Sequence, residues 1–152
     1  MRKLFILWPL LSFMFFISCE DENTIAKQLE EDIKLIEQYL TDNNLTAQST
    51  KSGLHYIITN EGYGDRPTSS SIVRVEYTGR LLDGTVFDSN TVDGNPLYNY
   101  IQGWVEGIKL FKKSGSGKLF IPSGLGYGSK PMGSIPANSV LVFDIKLVNI
   151  IN

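Results

Sequence analysis

The sequence predicts an α+β domain: a twisted antiparallel β-sheet of about five strands wrapped on one short α-helix, with a helical tether ahead of it. Three observations carry this expectation. Apolar and polar residues alternate in short segments between Leu54 and Leu147, the period of strands with one buried face. One short helical repeat interrupts them near Trp104, and a longer one precedes them. Turn-forming residues separate the strands, which favours antiparallel pairing over parallel crossovers.

The elements follow in chain order. Ile25, Leu29, Ile33, Ile36 and Leu40 recur every three or four positions, as on one face of a helix that Asn23 or Thr24 can cap. The run Thr41-Asp42-Asn43-Asn44 stops it, because these side chains compete for backbone hydrogen bonds. Two roles are open to this helix: pairing with a second copy, or folding back on its own domain. The polar stretch from Thr46 to Ser52 reads as a linker. Leu54, Tyr56 and Ile58 mark a first strand, and Val73, Val75 and Tyr77 a second, after the turn-rich segment 62–71. Lys118 to Ile121 is a short strand closed by Pro122, and Leu141, Phe143, Ile145 and Leu147 form one face of a long last strand. Between them a helix from about Trp104 to Lys112 places Trp104, Ile108 and Phe111 on one side.

Composition narrows the chemistry. At 152 residues, 42% hydrophobic and 20% charged, the chain is long enough for one domain with a sizeable core. A net charge of -2 leaves no basic excess for a phosphate backbone, so nucleic acid is not an expected partner. A single cysteine excludes an internal disulfide, and a single histidine excludes a Cys/His zinc site. His55 reads as a surface or edge residue of its strand, and Glu30, Glu31 and Glu37 as a solvated helix face. The turns Gly115-Ser116-Gly117 and Gly124-Leu125-Gly126 lack the strand–GxGxxG–helix setting of a phosphate cradle.

The amino terminus reads as an address. Arg2 and Lys3 precede an apolar run from Leu4 to Ile17 that is too short to span a bilayer, and the small residue Ser18 follows. That is the form of a secretory signal. The segment Phe16-Ile17-Ser18-Cys19 resembles the lipobox of bacterial lipoproteins, which more often carries Leu where Phe16 stands. The resemblance implies a signal peptide over 1–18, lipidation of Cys19, an acidic tether over 19–23, and an envelope protein held to the membrane by its acyl chains.

Aromatic residues remain. Tyr77, Phe87, Trp104, Tyr127 and Phe143 sit in strands, at strand ends or at the start of the short helix, where single rings are usually core. Their contexts point further. Val75-Glu76-Tyr77-Thr78-Gly79, Leu82 to Ser89, Gly103 to Ile108, Leu119-Phe120-Ile121-Pro122, Gly126-Tyr127-Gly128 and Ile135 to Asp144 occur in one order. That ordered set resembles the FKBP-type peptidyl-prolyl isomerases over residues 51–152. The leading Ser52-Gly53-Leu54-His55-Tyr56 after a helix is similar to the secreted bacterial branch.

The resemblance implies a hydrophobic pocket formed by Tyr77, Phe87, Trp104, Tyr127 and Phe143, with Trp104 as its floor. It implies that Asp88 bonds the Tyr77 hydroxyl, that Tyr127 donates its hydroxyl to the substrate, that Ile101 offers its backbone N–H to a substrate carbonyl, and that Ile135 closes one side. No metal or organic cofactor is implied. Leu97 follows Pro96 where compact eukaryotic members often carry an aromatic, with Tyr98 or Tyr100 as substitutes; Leu97 and Tyr100 therefore join the substrate-binding set. The segment from Pro96 to Gly103 is several residues shorter than in those members, Ser134 replaces a frequent aliphatic residue, and the loop 129–133 lacks an aromatic. These departures bear on substrate preference and on affinity for macrolide inhibitors more than on activity. The expected function is isomerisation of Xaa-Pro bonds in client proteins of the bacterial envelope. The alternative is a non-catalytic module holding a proline-containing partner in an envelope complex such as a gliding apparatus.

Overall fold

The alternating segments form six strands, all paired antiparallel in the order β1-β2-β5-β6-β3-β4. The computed structural model describes residues 20–151, so the leader and Cys19 lie outside the described residues. The strands are β1 (Gln48–Ser49), β2 (His55–Asn60), β3 (Ile72–Leu81), β4 (Val86–Pro96), β5 (Ser116–Ile121) and β6 (Leu141–Ile151). β6 lies between β5 and β3 and shows why the period matters. Its residues Leu141, Phe143, Ile145 and Leu147 enter the main core, whereas Asp144 and Lys146 face the other way into solvent.

The inner face of the sheet is covered by α2 (Gln102–Gly107) and the 3₁₀ turn Ile108–Leu110 that continues it. The helix is shorter than its apolar spacing predicts, yet Ile108 and Phe111 are still fully buried. Two glycines set its approach. A Cβ at Gly103 would stand 2.4 Å from the Ile121 side chain, and one at Gly107 would stand 2.6 Å from that of Leu119. These residues, one helical turn apart, let the backbone of α2 lie directly on β5.

The outer face is the larger departure from expectation. The first helix, α1 (Glu20–Asp42), starts several residues before the proposed caps, so Asn23 and Thr24 lie inside it and residues 20–23 are helical, not a loose tether. Glu22 suits a helix start, because a carboxylate complements the positive end of the helix dipole. α1 folds back on its own domain. Ile36 and Leu40 pack with Phe120, Val140 and Val142, and the Tyr39 ring meets that of Phe120 at 5.9 Å. Helix therefore packs on both faces of the sheet, on the outer one over Phe120 of β5 and Val142 of β6.

Three smaller corrections have plain causes. Part of the 46–52 linker pairs with β2 as the edge strand β1. β4 carries no clear alternation, since it is an exposed edge strand whose pairing with β3 slips at two points. His55 is buried, not at the surface, and its Nδ1 lies 2.9 Å from the Gly53 carbonyl oxygen.

Candidate active site

The predicted rings converge. Tyr77 comes from the inward-facing register of β3, Phe87 and Asp88 from the start of β4, Trp104 from α2, Tyr127 from the loop after β5, and Phe143 from β6. All six line one cavity of about 320 Å³, together with Val92, Asn99, Tyr100 and Ile101. Trp104 and Phe143 are each 3% exposed and form its base. The rings meet mostly edge to face, the arrangement that sets positive ring edges against negative faces. Tyr77 and Trp104 are 4.9 Å apart at 85°, Trp104 and Phe143 5.4 Å at 79°, and Phe87 and Phe143 5.6 Å at 86°.

Gly79 makes that packing possible. It pairs with Phe143 on one side and Asp88 on the other, at the centre of the wall. A Cβ there would stand 2.5 Å from the Phe87 ring and 2.9 Å from Phe143. Any side chain at this position displaces the rings.

The polar groups divide into satisfied and open ones. The Tyr77 hydroxyl donates to Asp88 Oδ2 at 2.5 Å. Burial and this hydrogen bond to the carboxylate push the Tyr77 hydroxyl well above the ordinary tyrosine range, so it stays protonated as a donor. By contrast, Trp104 Nε1 and the Tyr100 hydroxyl are buried without a hydrogen-bond partner. Leaving such groups unpaired costs about 1–3 kcal/mol each. Among the described residues, the Tyr127 hydroxyl and the Ile101 N–H are also without hydrogen bonds inside the chain.

Two expected members of the site are elsewhere. Leu97 is 0% exposed and belongs to the core, because the 3₁₀ turn Leu97–Asn99 is held by Leu97 N–H donating to Ser71 O at 3.0 Å. Tyr100, at the end of that turn, is the residue of the segment that reaches the cavity. Ile135 is 5% exposed and joins the core, and it is not among the lining residues. Val92 and Asn99 line the cavity without having been expected. Val92 pairs with the inward Val75 and is the single aliphatic residue between Asp88 and Asn95, a signal present in the sequence.

A second, broader depression lies on the outer face and differs in kind. Lys118 and Arg80 bind Asp144, Lys146 meets Glu76 at 3.0 Å, and the Thr78 and Ser89 hydroxyls are 2.9 Å apart. Its charges answer one another and it is open to water. The less open aromatic cavity is the better candidate.

Comparison with known proteins gives the family. The profile of the family described as FKBP-type peptidyl-prolyl cis-trans isomerase matches residues 64–148, more than half of the chain. The chain belongs to this family. A probable FkpA isomerase of Neisseria meningitidis is 49% identical over 108 residues, covering 68% of this chain and 40% of that protein. The FkpA isomerase of Aeromonas hydrophila is 45% identical over 130 residues, covering 82% of this chain and 48% of its own. The crystal structure of FkpA from Escherichia coli superposes with a TM-score of 0.70 at 33% identity, covering 85% of this chain and 65% of that one. The chain thus spans about half the length of the curated relatives it matches.

Proposed function

We propose that the protein catalyses cis–trans isomerisation of Xaa-Pro bonds, and that the aromatic cavity is where it does so. The observation that carries this reading is a half-open slot of about 320 Å³ lined by the rings of Tyr77, Phe87, Trp104, Tyr127 and Phe143. Rotation about an X-Pro bond breaks amide resonance against a barrier of about 18–20 kcal/mol, and no covalent chemistry is needed to lower it. The planar amide is the more polar form and loses more on leaving water, so a dry slot favours the twisted geometry. Donors fixed in place add to that preference without reorganising during the reaction. A millionfold acceleration requires roughly 8 kcal/mol of it.

Each group has a task in this scheme. Trp104 and Phe143 support the prolyl ring, while Tyr77 and Phe87 flank it. Asp88 holds the Tyr77 hydroxyl, which keeps that ring at its angle to Trp104. In this reading the Ile101 N–H bonds a substrate carbonyl and the Tyr127 hydroxyl donates to the substrate backbone. A protease-coupled assay with a Xaa-Pro peptide tests the reading. We expect acceleration over buffer; a folded chain no faster than buffer overturns catalysis and leaves peptide binding as the function.

The same reading places the protein in the bacterial envelope, with unfolded envelope proteins as clients. Its support is the basic, then apolar, then Ser18-Cys19 pattern at the amino terminus. Cys19→Ser is expected to release the protein from membranes, and unchanged partitioning in a membrane fractionation removes the lipid anchor from the proposal.

A further inference from the structure

Among the described side chains of α1, Asp32 is the one acidic residue that is fully buried, at 0% exposure. Its Oδ2 accepts from the backbone N–H of Ser123 at 2.7 Å and from the Ser123 hydroxyl at 2.6 Å. Its Oδ1 accepts from Gln28 Nε2 at 2.8 Å. Ser123 in turn starts the loop that carries Tyr127. The Ser123 carbonyl accepts the N–H groups of Gly126 at 2.9 Å and Gly128 at 2.8 Å, the residues on either side of Tyr127. The Gly128 carbonyl then accepts the Asn138 N–H at 2.8 Å. A continuous set of hydrogen bonds thus joins a helix on the outer face to a cavity-lining residue.

A buried carboxylate is an expensive way to dock a helix, and an apolar residue would do so with less desolvation. What the acid adds is direction: it captures one particular backbone N–H and hydroxyl at charge-assisted distances. We propose that Asp32 is a positioning residue, holding the Ser123–Gly128 turn so that Tyr127 keeps its place at the slot. This rests on the isomerase reading, with Tyr127 as a substrate-contacting residue. It makes α1 part of the active-site scaffold, although its sequence lies outside the matched family region.

The test compares Asp32→Ala and Asp32→Asn in the full chain, each with Tyr127 intact and with Tyr127→Phe, below the unfolding temperature of every variant. We expect Asp32→Ala to lower kcat/KM about tenfold, since small misplacements of an oriented group have effects of that order. Asn keeps an acceptor at the same distance and is expected to recover most of the loss. In the Tyr127→Phe background, Asp32→Ala is expected to add almost nothing. Equal losses in both backgrounds, or a lowered Tm with unchanged kcat/KM, overturn the proposal. Ser123→Ala deletes only the hydroxyl bond; it is expected to give a smaller loss that also vanishes with Tyr127→Phe, and it serves should Asp32→Ala not fold. Amide hydrogen exchange separates this proposal from the isomerase reading. A wild-type chain no faster than buffer removes that reading alone. In either event, Asp32→Ala should speed exchange at Gly126 and Gly128 while Leu119 and Phe143 stay protected, and unchanged exchange at both glycines overturns the positioning role.

Discussion

The two faces of the sheet bury comparable kinds of side chain and do opposite things with them. On the outer face, Phe120 and Val142 meet Ile36 and Leu40 of α1, and the buried acid Asp32 finds three donors. On the inner face, the rings of Tyr77, Trp104 and Phe143 pack as closely as core residues but leave a cavity, and two donors within it lack partners. Closed packing gives stability. Packing left open at one place, with its polar groups unanswered, gives a site. The contrast locates function without reference to any motif.

Substitutions can break that contrast. The largest effect is expected from Trp104→Ala, which removes the base of the cavity and a nearly fully buried ring. It should cost about 3–5 kcal/mol in denaturant unfolding and reduce the isomerase rate to that of buffer. Phe120→Ala, on the closed face, should cost about 3 kcal/mol while leaving kcat/KM within about twofold below the unfolding transition. A comparable loss of activity in both variants would erase the distinction between the faces. Asp88→Asn is smaller. Asp88 is solvent-exposed, and weakening its bond to Tyr77 should lower kcat/KM roughly three- to tenfold with little change in Tm.

The smallest effect sharpens the electrostatics. Because Tyr77 is held above its ordinary value of 10.0, the protonated form is the one favoured by folding. Its contribution to stability is complete below pH 10 and is lost as pH rises further, toward the folded-state value. In an ultraviolet titration one tyrosine should ionise later than the rest, and Tyr77→Phe should delete that late step. A titration unchanged by the substitution rules out Tyr77 as its source.

Much of this was legible in the sequence, for identifiable reasons. Strands with one wet face announce themselves by period two, so β2, β3, β5 and β6 were readable; β4 was not, because an exposed edge strand needs no apolar alternation. The five rings and Asp88 came from ordered local patterns, and the structure brings them to one cavity. Leu97 and Ile135 illustrate the limit. An aliphatic residue beside a site and one beneath it look alike in sequence, and for Leu97 the 3₁₀ turn decides which it is. α1 was readable as a helix, with folding back on its own domain as one of two open roles, but the contact that holds it there was not. The missed signal was Asp32, an acid three residues after Leu29 and four before Ile36, on the apolar stripe itself.

The glycine pair in α2 has a consequence for how this slot can be resized. Trp104 stands on a helix that bears on the Ile121 and Leu119 side chains of β5 through Gly103 and Gly107. A methyl group at either acts as a shim, tipping the indole upward and making the slot shallower from behind. Guests of different bulk can therefore be selected by editing atoms that no guest ever touches.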